Sequence, residues 1–320
     1  MRIGRVSSQG IRGVPDGTWD LSDARTGAPH RLVVVSGASA SGKTRFLEAI
    51  FAAKELVAPY AAVPNPTGWI RSGETSAKVT IRWHLDDLEA AHGGLSERTA
   101  LTESTFAPGA SDPDEEGIVA VLRRYEHGHA SGKLEYFPAT RSIPLHGVGV
   151  GLSAFEQKTL RPTSDPRKYA SVVRVLRELA AGGEQASFFA HLLGQLSPTC
   201  RFEASTSIEV TPRCFRGKDG ARSLLELSAS EVDAVLLAAT ATLIGLSYSV
   251  VLIDRPELHA DPTFVPKLLE GLLSLGREPQ IIVATSSAEV IHAATSRGVV
   301  FGLSDVPSAA RDGASREPLP

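Results

Sequence analysis

At 320 residues, 42% hydrophobic and 22% charged, the chain is sized for one large α/β domain with an elaborated insertion, or for two intimately built lobes. A formal net charge of -3 gives no overall electrostatic case for nucleic acid. Cys200 and Cys214, without C-x-x-C spacing, cannot build a zinc site alone.

The first residues, from Met1 to Val6, lack the apolar core of a signal peptide, so a reducing cytoplasmic setting is expected. Ile3–Val6 and Trp19–Leu21 read as short strands among the turn glycines Gly10, Gly13 and Gly17. Leu32–Val35 is the first buried strand. It runs into Gly37-Ala38-Ser39-Ala40-Ser41-Gly42-Lys43-Thr44, and Arg45–Leu56 then has helical spacing. This is a phosphate-binding loop, G-x-x-x-x-G-K-[ST], in its strand–loop–helix context. The glycines let successive backbone N–H groups turn toward phosphate oxygens, and the helix start adds partial positive charge. Lys43 is expected to reach the β- and γ-phosphates and Thr44 to offer its hydroxyl to Mg²⁺. A nucleoside triphosphate is the expected ligand, with the loop and Arg45 behind it as the binding residues.

Three prolines make Pro59–Gly73 an irregular connection, and Ala77–Leu85 alternates as a strand. Residues 89–117 are polar and acidic and read as a surface excursion. Ile118–Arg124 and Lys133–Phe137 are expected to form a strand pair, ahead of Pro138-Ala139-Thr140-Arg141. Ser142–Pro166 is loop-like, and Arg167–Leu179 and Ser187–Leu196 are predicted helices. The basic residues Arg161, Arg167, Lys168, Arg174 and Arg177 are expected on a solvated helix face. Phe202–Val210 alternates as a strand, and Cys214–Gly220 reads as a turn.

The last third opens at Leu227-Ser228-Ala229-Ser230-Glu231, where Ser228 or Ser230 can cap a long apolar helix. The apolar run Val232–Ile253 contains Thr240, Thr242, Gly245, Ser247 and Ser249. It reads as a buried helix and a buried strand rather than a membrane span, with Gly245 near the break. The strand ends in Asp254, and Pro262–Leu275 is a predicted helix. Gln280–Ala284 is a further buried strand, ending at Thr285-Ser286-Ser287. Apolar strands that end in chemical residues and alternate with helices predict a mostly parallel sheet with its site at the strand ends. Asp254 is the expected second magnesium partner. His127, His129, His146 and His259 lack companion ligands at fixed spacing and read as surface or structural. Residues 304–320 are expected to be a disordered tail.

Leu227-Ser228-x-x-Glu231, followed by Val251-Leu252-Ile253-Asp254-x-Pro256-Glu257-Leu258-His259, resembles the ABC-type ATPases. The closest branch is the soluble one that holds the SMC-like repair ATPases and the overcoming-lysogenisation-defect ATPases. Tyr136–Arg141 is similar to a segment of that branch. The resemblance spans roughly residues 1–303. It implies a P-loop ATPase domain with an antiparallel β subdomain (mainly 1–30 and 77–137), a helical insertion (about 150–200) and a signature-to-switch segment (224–290). It further implies two such domains, alike or different, sandwiching two ATP molecules. Ser228 would meet the γ-phosphate held by the partner subunit, and Ser286 would sit near the γ-phosphate. DNA repair or anti-phage defence would be the setting, with no nuclease domain expected beyond Phe301.

Against the family pattern, Arg255 stands where a Glu would polarise the attacking water, Ser286 where the switch has His, and Ser230 where the signature has Gly. General-base help of that kind is typically worth about 10²–10⁴-fold, and arginine cannot accept a proton. The expectation is ATP and Mg²⁺ binding with slow or absent hydrolysis. The alternative is a competent ATPase in which Glu257 joins Lys43 and Asp254 as the catalytic set.

Overall fold

Strict alternation along five apolar strands divides the molecule into two cores. A computed structural model describes residues 1–60, 63–110, 116–125, 131–144, 152–204, 213–218 and 220–303. In chain order, β1 (Arg2–Gln9), β2 (Gly17–Asp20), β3 (Leu32–Ser36) and α1 (Lys43–Val57) come first. They are followed by β4 (Ala77–His84), α2 (Asp87–Gly93), β5 (Thr99–Phe106), α3 (Glu116–Arg123) and β6 (Leu134–Phe137). Helices α4 (Ala154–Leu160), α5 (Ser171–Ala180) and α6 (Glu184–Leu196) precede the short strands β7 (Arg201–Phe202), β8 (Phe215–Gly217) and β9 (Gly220–Arg222). The last third holds α7 (Ala229–Ile244), β10 (Val250–Asp254), α8 (Val265–Leu273), β11 (Gln280–Ala284), α9 (Ala288–Ala294) and β12 (Val299–Gly302).

The main sheet has the order β12-β3-β11-β10-β6, and every pairing in it is parallel. A parallel sheet must be covered on both faces, which is why its strands are apolar throughout. Val33, Val35, Leu252 and Ile282 face one core, shared with α1 and the antiparallel sheet β2-β1-β4-β5. Leu32, Val34, Ile253 and Val283 face the other core, built from α5 to α9. Phe46, Leu47, Ile50 and Phe51 of α1 are almost fully buried, each worth roughly 1.5–3 kcal/mol of burial. This packing fixes α1, and with it the phosphate loop, against β3. Helix α7 is buried on nearly all sides, as its apolar sequence requires. Gly245, at φ 69°, ends it before β10. No helix among the described residues is long and apolar enough to cross a membrane.

Several sequence expectations are overturned. Ile118–Arg124 is helical rather than a strand, because Ile118, Val121 and Leu122 form a buried stripe at i, i+3 and i+4. Its supposed strand partner, β6, instead pairs parallel with β10 and leaves the antiparallel subdomain. The polar excursion contains α2, closed by an Asp86–Glu89 capping box, and β5, which pairs with β4 over eight residues. Loop-like Ser142–Pro166 holds α4, and the turn at Cys214–Gly220 is the β8–β9 hairpin. Arg161 and Lys168 are buried, not solvated. Arg161 bonds Glu135 at 3.1 Å, and Lys168 donates to the carbonyls of Tyr136 and Arg161. The strand expected at Phe202–Val210 is seen only as Arg201–Phe202, and residues 205–210 lie outside the described residues, as do His127, His129, His146 and the tail 304–320.

Candidate functional site

The loop between β3 and α1 is held in a shape that few sequences allow. Gly37, Ala40 and Gly42 have φ of 150°, 63° and 95°. A Cβ at Gly42 would lie 1.9 Å from the carbonyl oxygen of Gly13, so the β1–β2 connection closes on the loop at a residue with no side chain. Lys43 is buried, and its Nζ donates to the carbonyl oxygens of Gly37 at 2.9 Å and Ala38 at 2.6 Å. Burial lowers the Lys43 ammonium below its ordinary 10.5. The charge of Arg255 adds to that fall, while Asp254 and Glu257 oppose it. Ala38, Ser39 and Ala40 are exposed at the loop tip.

Thr44 Oγ1 donates to Asp254 Oδ2 at 2.7 Å. A hydroxyl and a carboxylate thus meet at the start of α1, an all-oxygen donor pair that suits Mg²⁺. Arg45 turns away: its guanidinium stacks 3.6 Å over Trp69, pairs with Glu48 at 3.3 Å and donates to Gly68 O. Its side chain is therefore committed to holding the 66–69 turn beside α1.

Just past Asp254, Arg255 is exposed and has φ 47°, a left-handed conformation costly for a residue with a Cβ. Its N–H donates to Ala284 O at 2.9 Å, tying the end of β10 to β11. Two residues on, Glu257 Oε1 accepts from Thr285 Oγ1 at 2.6 Å, while Oε2 is buried and meets no donor among the described residues. Ser286, next to Thr285, is exposed.

Ser228 caps α7, in preference to Ser230, through a capping box with Glu231. Glu231 is itself clamped by Arg222 at 2.7 and 3.1 Å and by Thr199 at 3.0 Å. Burial pushes its carboxyl up, but the bonds from Arg222, Ser228 and Thr199 outweigh that and hold it down at about 2. Ser228, Ala229 and Ser230 are exposed, and the Ser228 hydroxyl bonds only to Glu231 and Ser230 among the described residues. The loop, Asp254, Arg255 and Glu257 therefore gather at one end of the sheet, while Ser228 makes no hydrogen bond to the loop among the described residues.

No family model matches the sequence, and neither does any curated protein. Solved structures match by shape. An Smc head bound to the C-winged helix domain of ScpA aligns with a TM-score of 0.54 at 14% identity, over 94% of each chain. An Smc head domain with an extended coiled coil, bound to the C-terminal domain of ScpA derived from Pyrococcus furiosus, aligns with a TM-score of 0.53 at 13% identity. That match covers 94% of this chain and 92% of the other. The fold is that of an ABC-type P-loop head. Within such a head, the parallel sheet carries the phosphate loop and the aspartate strand, and the antiparallel sheet covers α1 from the other side.

Sequence reasoning gave no role to Arg222 and Thr199, which clamp Glu231, to Gly13, which closes on the loop, or to Trp69, which seats Arg45. The only available signal was the need of a buried charge such as Glu231 for a partner, and the partner's position is invisible in one dimension. Arg141, which the sequence places only within the segment Tyr136–Arg141, is buried at the end of β10.

Proposed function

We propose that this chain binds Mg·ATP in the Gly37–Thr44 cradle and uses the bound nucleotide to dimerise or to hold a partner protein, with slow or no hydrolysis. The observation that carries the reading is the Thr44–Asp254 bond at 2.7 Å beside a buried Lys43 already donating to oxygens. With ATP in the cradle, Lys43 would exchange two loop carbonyls for β- and γ-phosphate oxygens, and Thr44 and Asp254 would hold Mg²⁺. Mg²⁺ would neutralise phosphate charge there. Backbone N–H groups at the start of α1 supply the rest of the anion site.

Slow hydrolysis follows from Arg255. A guanidinium at the position where the resembled family has a glutamate cannot act as a base, and its charge favours bound triphosphate. Dimerisation follows from the exposed cap of α7. Ser228 and the helix N-terminus face outward, where a second head's γ-phosphate would be received. The likeness to Smc heads bound to ScpA also supports a heteromeric complex with a separate protein. The soluble SMC-like and overcoming-lysogenisation-defect branch is the proposed relation, in which the domain spans residues 1–303.

One observation favours a second reading, a competent ATPase. The buried Oε2 of Glu257 meets no donor among the described residues and can accept a proton or orient a water. Calorimetry with Mg·ATP, light scattering with and without nucleotide, and phosphate release together test both readings. Micromolar binding with ATP-dependent dimers and negligible turnover supports the first. Turnover at or above about 1 s⁻¹ selects the second, and no binding at all sinks both.

A further inference from the structure

Arg141 lies just past β6, whose last paired residue, Phe137, sits opposite Ile253 of β10. The turn Pro138–Arg141 therefore crosses the end of the aspartate strand. The side chain is 1% exposed, and its two terminal nitrogens are fully engaged. Nη1 donates to the carbonyl oxygens of Asp254 at 2.9 Å and Pro138 at 3.2 Å. Nη2 donates to Arg255 O at 3.2 Å and to Asp233 Oδ2 at 2.9 Å. Asp233 stands on α7, the helix that Ser228 caps.

Two of those carbonyls flank Arg255 on either side, so Arg141 fixes the peptide planes before and after a left-handed residue. A non-glycine at φ 47° persists only where its surroundings over-determine it. The same guanidinium reaches α7 with its remaining bond. The planar fork suits this: it offers several donors in fixed geometry, which a lysine ammonium at the end of a flexible chain does not. One buried cation thus bonds both the strand that carries Asp254 and the helix that presents Ser228.

We infer that Arg141 is a positioning residue that couples nucleotide in the cradle to the pose of the signature helix, so that a head becomes competent to dimerise when its own site is filled. The inference rests on the Mg·ATP reading above. Asp254 and Arg255 respond to the metal and the γ-phosphate, and Arg141 transmits their position to Asp233 and so to the N-terminus of α7. Cutting the helix link spares the cradle, because among the described residues Arg141 meets Asp254 only at its main-chain carbonyl and bonds neither its carboxylate nor Gly37–Thr44.

The test uses the full chain and three variants, Arg141→Lys, Asp233→Ala and Asp233→Asn. Each is measured by thermal melting, by calorimetry with Mg and a non-hydrolysable ATP analogue, and by light scattering across protein concentration with that analogue. The expected result is a split. Arg141→Lys and Asp233→Ala bind the analogue within about threefold of wild type, but their analogue-dependent dimer weakens at least about tenfold. Asp233→Asn, which keeps an acceptor for Nη2, retains most of the dimer. The double variant Arg141→Lys/Asp233→Ala is no worse than either single one, because both cut the same link. Should Arg141→Lys fail to fold, the two Asp233 variants carry the comparison alone. Wild-type dimerisation in the variants overturns the role of Arg141 and leaves the functional reading standing, and so does an equal loss of binding and dimer. A wild-type chain that binds the analogue yet stays monomeric overturns the dimer reading itself.

Discussion

The two ends of this head that would meet ATP are built on opposite terms. At the phosphate loop the polar groups turn inward: Lys43 is buried on loop carbonyls, and Thr44 is bonded to Asp254. At the signature end the polar groups behind the helix are locked together, with Glu231 clamped by Arg222, Thr199 and Ser228, while the cap itself faces solvent. The first is a site one chain can complete. On the proposed reading the second is a half-site whose ligand comes from a second head. Damage to the loop should therefore abolish nucleotide binding in the monomer, whereas damage to the cap should spare binding and appear only in association.

The largest break in that contrast is Gly42→Ala. Its Cβ would meet Gly13 O at 1.9 Å at a φ of 95°, so the loop must shift and Mg·ATP binding is lost. The strained backbone alone should lower stability by about 1–3 kcal/mol, read by denaturant melts beside calorimetry. Lys43→Ala keeps the fold but removes a charged donor, worth about 1.5–3 kcal/mol per bond, so affinity falls by about 10- to 100-fold. Thr44→Ala should cost less, about tenfold, and only in the presence of Mg²⁺. Equal loss with and without magnesium would reject Thr44 as a metal partner. Ser228→Ala removes the cap of α7 and should lower stability by about 1 kcal/mol. Monomer affinity stays unchanged while ATP-dependent association fails, and unchanged association would erase the distinction between the two ends.

The smallest expected effect is one of pH. The Glu231 carboxyl is held at about 2 in the folded chain against an ordinary 4.5. Between those values the folded state binds fewer protons than the unfolded one, so the stabilisation is fully present above pH 4.5. It fades as pH falls through about 2. Glu231→Gln should be less stable at neutral pH and should lose that part of the acid slope. A variant with the wild-type slope would place the acid sensitivity elsewhere.

Much of this was legible in one dimension where local chemistry is self-sufficient. The spacing Gly37–Thr44 behind a run of valines placed a strand, a loop and a helix where the structure has β3 and α1, and a helix cap was expected at Ser228 or Ser230, of which the structure uses Ser228. The strand assigned at Ile118–Arg124 failed because a short apolar run fits either period, and only packing of Ile118, Val121 and Leu122 chose the helix. Strand β5 was hidden by its polar residues, since as an edge strand it buries one face only. Arg161 and Lys168 were misplaced on the surface because Glu135, which offsets their burial, lies on a distant strand.

The sequence by itself determined that a loop of the phosphate-binding form follows an apolar strand and which later strand ends in an acid, because a turn of glycines and an apolar strand are local facts. Tertiary structure alone decided that Asp254 reaches Thr44 and that Arg141 spans the aspartate strand and the helix capped by Ser228. Those relations join residues about a hundred or more positions apart. They exist only once folding buries these charges and brings their partners to them.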